Sequence, residues 1–449
     1  MYFTKATELA RMLRAREISA REVLDSHLEV IARRNPELNA IVTFTPELAR
    51  TQAEMADRAA LKGEFLGLLH GLPVAHKDLQ ETQGIRTTFG SPLFADYVPA
   101  FDTEIVRRMK AAGSVCMGKT NTPEFGAGSQ TFNLVFGKTR NPFDLTKTCG
   151  GSSGGAAVAL ATGMIVLADG SDTGGSLRNP ASFCGVAGLR TTPGLVPGGS
   201  VLTVNGPMAR DCGDVGLLLA ALAGLTSVPA FERDFRGTRV AWLGDVPGMP
   251  FEAVVRGVVN KARGQFEALG CVVDEATPDF TDADASFRVL RAQEFFSLHG
   301  DKPLDRVKET VRQEIERGAL LTASDITAAH LLRDGLIERT RVFQETYEFF
   351  VLPTVQVPPF DIEQPYVTSI NGLTLPTYID WMRSCYFVSI LGVPALSVPC
   401  GFTPEGLPVG LQIVGRAGAD WSVLALGQAF EQVNAATAAS ITHTPKSRP

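Results

Sequence analysis

Three short stretches of this sequence carry side chains that together can attack a carbonyl group. The apolar stretch LPVAHKD reads as a strand that delivers Lys77 to its end. The stretch CGGSSGG holds Ser152 and Ser153 in a glycine-rich turn, and the stretch DGSDTGGSLRNP presents Ser176 in a second one. A serine hydroxyl becomes a nucleophile when a base removes its proton, and lysine is one such base. The three stretches therefore predict a nucleophilic serine served by a lysine.

The surroundings predicted for Lys77 suit this chemistry. Lysine accepts a proton only in its neutral form, and removal from water lowers its pKa because the charged form loses its hydration. An apolar strand end beside glycine-rich turns is a poorly hydrated place. The glycines of Thr173-Gly174-Gly175-Ser176 also allow several backbone N–H groups to point at one spot. Such a nest forms an oxyanion hole, in which each donor is worth about 2.7–4 kcal/mol.

The elements between the two serine turns must bring them together. The apolar span Ala156–Ala168 is long enough for a helix and a returning strand, which would place both turns at one edge of a sheet. Residues 1–65 are predicted to form a helical N-terminal layer, residues 66–225 a catalytic α/β core, and residues 226–449 a C-terminal half of further strands and helices in the same domain. No linker or repeat divides them. We therefore predict a single α/β domain.

Residues Gly113–Thr120 match the phosphate-loop pattern G-x-x-x-x-G-K-[ST] letter for letter. A phosphate loop needs a buried strand before its first glycine and a helix after its Lys-Thr pair. Here an amphipathic helix is predicted over 103–112, the strand falls inside the motif, and Pro123 follows it. The order of elements is wrong for nucleotide binding, so we interpret the match as coincidence.

Residues Gly151–Gly155 also fit the G-x-S-x-G pattern of a nucleophile elbow, with Ser153 at its centre. Such an elbow follows a strand and needs a downstream Asp and His. The preceding stretch NPFDLTKTCG reads as a loop, and the downstream histidines His299, His330 and His443 lie outside any glycine-rich setting. A Ser-His-Asp hydrolase is therefore disfavoured.

Composition narrows the classes of function. The net charge of -6 gives no basic surplus for nucleic acid. Seven cysteines without a C-x-x-C pair predict neither a disulfide framework nor a zinc ribbon, and no metal or cofactor motif appears. The N-terminus reads as an amphipathic helix rather than a signal peptide, and the uncharged runs are too short or broken to span a bilayer. We therefore expect a cytoplasmic protein without metal or cofactor.

Taken in order, the three stretches resemble the amidase signature family of serine hydrolases. The resemblance covers most of residues 65–215 and returns near Gly392–Gly401 and Gly406–Gly415. It implies a mixed central β-sheet flanked by helices. It also implies hydrolysis of the C–N bond of a carboxylic amide, with a small-molecule amide as substrate.

By position, the resemblance implies a Ser-Ser-Lys triad, in which Ser176 is the nucleophile, Ser152 the bridging serine and Lys77 the base. The peptide bond before Ser152 would be cis. Protons would pass from Ser176 through Ser152 to Lys77 as the acyl-enzyme forms, and return to the leaving amine. The resemblance also implies polar supports and oxyanion donors around the triad: Asp172, Ser153 and Arg178 as supports, and Thr173, Gly174 and Gly175 as donors.

The resemblance identifies the bond that is cleaved but not the acyl group. Pockets in this family are generally shaped by the loop after the first core strands and by the variable C-terminal half. Here the first would contribute Phe125 and Ser129, whose small neighbours leave room. The second would contribute Tyr378 and Trp381 as an aromatic wall, and Arg383 to meet a carboxylate-bearing substrate.

Three functions remain open on the sequence alone. The first is a stand-alone amidase that releases ammonia or an amine. The second is the glutaminase subunit of a tRNA-dependent amidotransferase, which needs partner subunits; the C-terminal half lacks features associated with that subunit. The third is a catalytically silent scaffold, against which the intact Lys77, Ser152 and Ser176 argue. A homodimer is a common state for soluble enzymes, and neither nucleic acid nor a membrane is expected as a partner.

Overall fold

Eleven strands form one mixed β-sheet in the computed structural model of this protein, which describes residues 1–434. The predicted variable half therefore lies only partly within the described residues, and His443 lies outside them. The sheet strands are β1 Ile41–Phe44, β2 Pro73–Lys77, β3 Val115–Thr120, β6 Leu167–Asp172, β7 Ala187–Arg190, β8 Val204–Ala209, β9 Arg239–Trp242, β10 Val272–Glu275, β11 Phe349–Pro353, β14 Ala395–Phe402 and β15 Pro408–Val414. Two short hairpins stand apart, formed by β4 Phe132–Asn133 with β5 Gly137–Lys138 and by β12 Ser369–Ile370 with β13 Leu373–Thr374.

Helices cover both faces of the sheet. In the first half of the chain they are α1 Ala6–Arg14, α2 Ala20–Leu38, α3 Pro46–Leu61, α4 Glu104–Ala111, α5 Gly154–Ala161, α6 Arg178–Cys184 and α7 Cys212–Leu222. In the second half they are α8 Ala253–Lys261, α9 Arg263–Ala268, α10 Ala283–His299, α11 Glu309–Ala319, α12 Ala323–Thr346, α13 Arg383–Ser389 and α14 Asp420–Val433. The α/β class with a helical N-terminal layer is confirmed.

The strand order places the predicted site residues at one edge of the sheet. The order is β1-β3-β2-β6-β8-β7-β14-β15-β11-β9-β10, and β2 runs parallel to both β3 and β6. The carboxyl ends of parallel strands lie at the same edge, where α/β proteins bind their ligands. Lys77 ends β2 and Asp172 ends β6, so the lysine and the second serine turn meet there.

Two apolar clusters pack against the sheet on opposite faces. Strand β11 shows the division, because Phe349 and Val351 belong to one cluster while Phe350 and Leu352 belong to the other. Successive side chains of a strand point to opposite faces. The first cluster includes α5 and α7, whose side chains are almost all buried. The second includes Phe287 and Leu290 of α10 and Tyr386, Phe387 and Val388 of α13.

Helix α2 begins as the sequence indicates but ends later. The Ser19 hydroxyl accepts from the Glu22 amide at 3.1 Å, and the Glu22 carboxylate accepts from the Ser19 amide at 2.8 Å, which is a capping box. The Asn35-Pro36 pair predicts a stop, but the helix continues to Leu38. A proline in the last turn removes only one amide, and the Asn35 side chain accepts from the amides that follow the helix end, at 2.9 Å each.

The elements around Gly113–Thr120 are those that the sequence predicts. Helix α4 precedes the motif, β3 lies inside it, and a loop follows. The Lys119 amine donates to the Gln80 carbonyl and, at 2.9 Å, to the Thr82 hydroxyl, so it has no role at a phosphate.

The segment between Pro353 and Ala395 departs from expectation. Its sequence predicts irregular structure throughout, and this is wrong for the last part, where α13 forms. The side chains of α13 are nearly all buried, and this burial stabilises a helix that local propensity does not predict.

Candidate active site

Lys77 is a fully buried amine surrounded by hydroxyl groups. Its Nζ lies 2.7 Å from Ser152 Oγ, 2.9 Å from Ser153 Oγ and 3.0 Å from Ser171 Oγ. The backbone of Lys77 is fixed as well, because its amide donates to Asp169 at 3.0 Å. Three hydroxyls saturate the hydrogen-bonding capacity of one amine. The geometry therefore holds Nζ at a single position.

The environment brings the pKa of Lys77 close to neutrality. Burial penalises the charged ammonium and lowers the pKa to about 7, against the opposing attraction of the Asp172 and Asp169 carboxylates. A lysine with this pKa is largely neutral in mildly alkaline solution and can accept a proton there. The neutral amine would take its proton from one of the three hydroxyls, and Ser152 is the nearest of them.

The two serines of the first turn occupy different positions. The Gly151–Ser152 peptide bond is cis, as the resemblance implies. Ser152 lines a cavity of the protein, together with Ser171 and Ser176. Ser153 is fully buried and directly precedes α5. Its amide donates to the Ser176 carbonyl at 3.2 Å, which ties the two serine turns together. Ser152 and Ser176 thus face one space, and Ser153 supports them from behind.

Asp172 organises the turn that carries Ser176. Its carboxylate accepts from the Gly175 amide at 2.9 Å and from the Leu177 amide at 3.1 Å. Arg178 binds it with two nitrogens at 3.0 and 2.9 Å, and Arg190 adds a third contact at 3.2 Å. Burial alone would raise the pKa of Asp172, but the two guanidinium groups outweigh it and hold the pKa well below its usual range. The carboxylate therefore stays charged and keeps the turn in shape.

The backbone amides of the second serine turn differ in whether they have a hydrogen-bond partner. The Gly175 amide is occupied by Asp172. The amides of Gly174 and Ser176 make no hydrogen bond with any residue from 1 to 434. Thr173 is held through its hydroxyl, which lies 2.7 Å from the Thr203 hydroxyl. Gly174, Thr173 and Ser176 all line the cavity, so the turn with these two unpartnered amides borders it.

The cavity has a volume of about 600 Å³ and a mostly apolar wall. Its apolar lining residues come from several elements: Leu79, Phe89, Ile105, Phe125, Phe287, Phe295, Leu298 and Met382. Phe125 stacks on His299 with 4.4 Å between the ring centroids. Ser129 donates to the Met382 sulfur. Two of the five predicted pocket residues, Phe125 and Ser129, therefore lie at the cavity.

The other three predicted pocket residues lie behind or away from the cavity wall. Trp381 is buried in the second apolar cluster, where its ring packs 5.2 Å from Phe360. Arg383 pairs with Asp380 at 2.5 Å. Tyr378 stands one layer back and accepts a hydrogen bond from Arg291, which does line the cavity.

Sequence reasoning missed Ser171, Arg190 and Arg291. Ser171 is a partner of Lys77, and strand alternation is the signal that could have found it. Because Asp169 and Ser171 are two residues apart on β6, they share a face, and both contact Lys77. Arg190 carries no local signal, since β7 brings it to Asp172 from a distant part of the chain. Arg291 belongs to α10, which contains no motif.

Metal-binding clusters and membrane-spanning helices are both absent from the described residues. Across residues 1–434, no three His, Cys, Asp or Glu side chains are grouped so that they could hold a metal ion. In the same part of the chain, no helix combines the length and the apolar character needed to cross a membrane.

Comparison with known proteins places this geometry in a family. The model of the Amidase family matches residues 22–424. The A-type polypeptide of glutamyl-tRNA(Gln) amidotransferase from Moorella thermoacetica is 35% identical, over 96% of this chain and 97% of its own length. An acylamidase from Rhodococcus erythropolis is 33% identical, over 96% of each chain. The crystal structure of a bacterial aryl acylamidase of the amidase signature family superposes with a TM-score of 0.90 at 27% identity, covering 100% of this chain and 99% of that one.

The fold and these matches define an enzyme that hydrolyses the carbon–nitrogen bond of amides. The chain belongs to the amidase signature family.

Proposed function

We propose that this protein is a stand-alone amidase that cleaves its substrate through an acyl-enzyme on Ser176. One observation carries the proposal: a buried Lys77 amine lies 2.7 Å from Ser152 Oγ at the floor of a cavity that Ser176 also lines. A neutral lysine draws a proton from Ser152, and Ser152 draws one from Ser176. Among the alternatives, a silent scaffold would have no need of a buried lysine with this depressed pKa.

The reaction follows from these positions. Ser176 Oγ attacks the amide carbon and forms a tetrahedral intermediate, while its proton passes through Ser152 to Lys77. The amides of Gly174 and Ser176 stabilise the negative oxygen. As the C–N bond breaks, the proton returns through Ser152 to the leaving nitrogen, which departs as an amine or ammonia. Water then attacks the acyl-enzyme by the same route and releases the carboxylic acid.

The cavity wall supports a sizeable apolar acyl or amine group. Burying one aromatic side chain of a ligand against such a wall contributes about 1.5–3 kcal/mol, because it removes apolar surface from water. Substrates with an aryl or alkyl group therefore fit this wall better than a small polar amide does. The second candidate function is the glutaminase subunit of a tRNA-dependent amidotransferase, which the similarity to the amidotransferase from Moorella thermoacetica favours.

A substrate panel separates the candidates. The purified chain, without partners, is incubated with acyl anilides, aliphatic primary amides and glutamine, and the release of aniline or ammonia is measured. We expect anilides and larger aliphatic amides to be hydrolysed with higher kcat/KM than glutamine. Hydrolysis of glutamine but of no other amide in the panel, together with co-purification of the chain with partner subunits, would establish the glutaminase subunit instead. No hydrolysis of any amide would indicate the scaffold.

A further inference from the structure

One wall of the cavity is the inner side of α10. Side chains three, four, seven or eight positions apart along a helix form a single stripe. The cavity-lining residues of α10 follow this spacing: Phe287, Arg291, Glu294, Phe295, Leu298 and His299. Half of the stripe is apolar, and the side chain that lies between its two phenylalanines is a guanidinium.

Arg291 is buried in that stripe, and one nitrogen of its guanidinium has no hydrogen-bond partner in residues 1–434. Its side chain is 6% exposed. Nη2 donates to the Tyr378 hydroxyl at 2.6 Å, and the guanidinium lies 4.3 Å from the ring centroid of Phe295. Nη1 is buried and has no hydrogen-bond partner anywhere in residues 1–434. A phenol and an aromatic ring thus hold the group in place and leave Nη1 without a partner, in a side chain that lines the cavity.

The charge of Arg291 also lacks a counter-ion in contact with it. The other buried arginines nearby have one, since Arg178 and Arg190 pair with Asp172. Two glutamates lie in the neighbourhood, but neither forms an ion pair with Arg291. Glu294 accepts from the Ser200 and Thr203 hydroxyls at 2.9 and 2.6 Å. Glu314 accepts from Arg317 at 3.2 Å through Oε1, while its Oε2 is buried without a partner in residues 1–434. Both carboxylates favour the charged form of Arg291 without contacting it.

Burial disfavours the charge of Arg291, whereas Tyr378, Glu314 and Glu294 favour it and keep its pKa raised without any carboxylate in contact. A carboxylate that came into contact with the guanidinium would add a direct ion pair. A neutral acceptor would satisfy the Nη1 hydrogens but would add no such pair. Guanidinium is also the side chain whose planar donors match a carboxylate best. The observation therefore favours an anion over a neutral oxygen.

We infer that Arg291 anchors a carboxylate of the substrate, in addition to the amide that is cleaved. The inference rests on the proposed reaction at Ser176, whose cavity Arg291 shares. The substrate class is thus an amide that carries a free carboxylate on an apolar skeleton. The phenylalanines of the wall contact the skeleton, and Arg291 fixes its charged end. Arg291 takes the place that the sequence suggests for Arg383.

Matched substrates test the inference in the wild-type protein. The monoanilide of glutaric acid is compared with its methyl ester and with the anilide of pentanoic acid, so that only the terminal carboxylate changes. A second pair, the pentanoyl amides of 4-aminobenzoate and of aniline, places the carboxylate on the leaving group. We expect one carboxylate-bearing member to exceed its neutral counterparts by about tenfold or more in kcat/KM, as a charge-assisted hydrogen bond implies. Neutral members that are equal or faster in both pairs would overturn the inference.

Variants test whether Arg291 causes the preference for carboxylate-bearing substrates. In Arg291→Met, the ratio of kcat/KM between carboxylate and neutral substrates should fall close to one. Arg317→Met is the matched control, because it removes the same charge from the neighbouring α11 at a side chain that is 40% exposed. The control should keep the wild-type ratio. An unchanged ratio in Arg291→Met would overturn the assignment.

Binding without turnover separates this inference from the proposed function. Glutarate should raise the Tm of the wild-type protein, whereas glutaramide at the same concentration should not, because only the first carries carboxylates. The shift should be retained in Ser176→Ala and lost in Arg291→Met. If Arg291→Met does not fold, the wild-type comparison still decides, since equal shifts or no shift with the two compounds would contradict the inference. Absence of hydrolysis together with a glutarate-specific shift would reject only the proposed function.

Discussion

The amine of Lys77 lies 2.7 Å from the hydroxyl of Ser152, and both groups are withdrawn from solvent. This contact joins the end of β2 to the glycine-rich turn before α5. Because β2 and β6 are parallel neighbours, Lys77 lies beside the Ser176 turn that follows β6. The Ser153 amide donates to the Ser176 carbonyl and holds the Ser152 turn at the same place. The proposed catalysis depends on this contact, because the proton of Ser152 reaches the base Lys77 through it.

The pH dependence of kcat/KM should follow the titration of Lys77. Only the neutral amine accepts a proton, and it predominates above a pKa of about 7. Activity should therefore rise with pH through about 7 and level off roughly one unit higher. The measurement is kcat/KM for a neutral anilide between pH 5.5 and 9. A profile that is flat across neutrality would contradict the assignment of Lys77 as the base.

Ser171 should adjust the pKa of Lys77 rather than react. A hydroxyl that accepts from an ammonium stabilises its charged form and so raises the pKa. Ser171→Ala should therefore move the acid limb of the pH profile to lower pH, by about half to one unit. Ser171→Thr retains the hydroxyl and is the matched control. An acid limb at the wild-type position in Ser171→Ala would show that this contact has no effect on the base.

Gly175 should tolerate substitution far less than its neighbour Gly174. Gly175 has φ +115°, and a Cβ there would lie 2.5 Å from the Cβ of Cys385. At Gly174 a Cβ would meet Phe287 at 3.3 Å, a contact that a small movement relieves. Gly175→Ala should thus displace the turn and reduce kcat/KM by about a hundredfold or more, as loss of an oxyanion donor does. Gly174→Ala should reduce kcat/KM much less. Equal reductions of kcat/KM in the two variants would refute the explanation.

Asp172 should contribute to stability as well as to the site. Asp172→Asn leaves Arg178 and Arg190 buried without their carboxylate, which costs about 3–5 kcal/mol in the free energy of unfolding. Urea unfolding at pH 7 measures this loss. Asp274→Asn, which removes an exposed ion pair with Arg239, is the control and should cost at most about 1 kcal/mol.

The sign of the pH effect at Asp172 follows from its depressed pKa. The folded-state pKa lies below the unfolded value, so the stabilisation is present above the unfolded pKa of about 3.9. It disappears as the pH falls through the lower folded-state pKa. The difference in stability between wild type and Asp172→Asn should therefore be constant near neutrality and shrink only in strong acid. A difference that already shrinks at pH 6 would contradict this explanation.

Residues that stand within short stretches of distinctive composition are predictable. Lys77, Ser152 and Ser176 stand in stretches whose order and composition are specific to one family. In the structure Ser152 and Ser176 line one cavity, and Lys77 contacts Ser152. The strand alternation that reveals Ser171 is equally present in the sequence. The first three residues can be identified from the composition of short stretches, and Ser171 from the two-residue period of a β-strand.

Residues that reach the site through tertiary packing are not predictable. Tyr378 and Trp381 have the composition of an aromatic wall, but both are buried in the second apolar cluster and neither lines the cavity. Arg291 lies on a helix with no motif, and only the packing of α10 against the catalytic edge reveals it. The apolar pattern of a helix predicts which side is buried. It does not predict whether the buried side meets a core or a cavity.

Covalent labelling tests most directly whether Ser176 is the nucleophile. The purified protein is treated with a fluorophosphonate, which reacts with an activated serine, and its intact mass is measured beside that of Ser176→Ala and Ser153→Ala. We predict one adduct on the wild type and on Ser153→Ala, with none on Ser176→Ala. Equal labelling of the wild type and Ser176→Ala would place the nucleophile elsewhere and contradict the proposed mechanism.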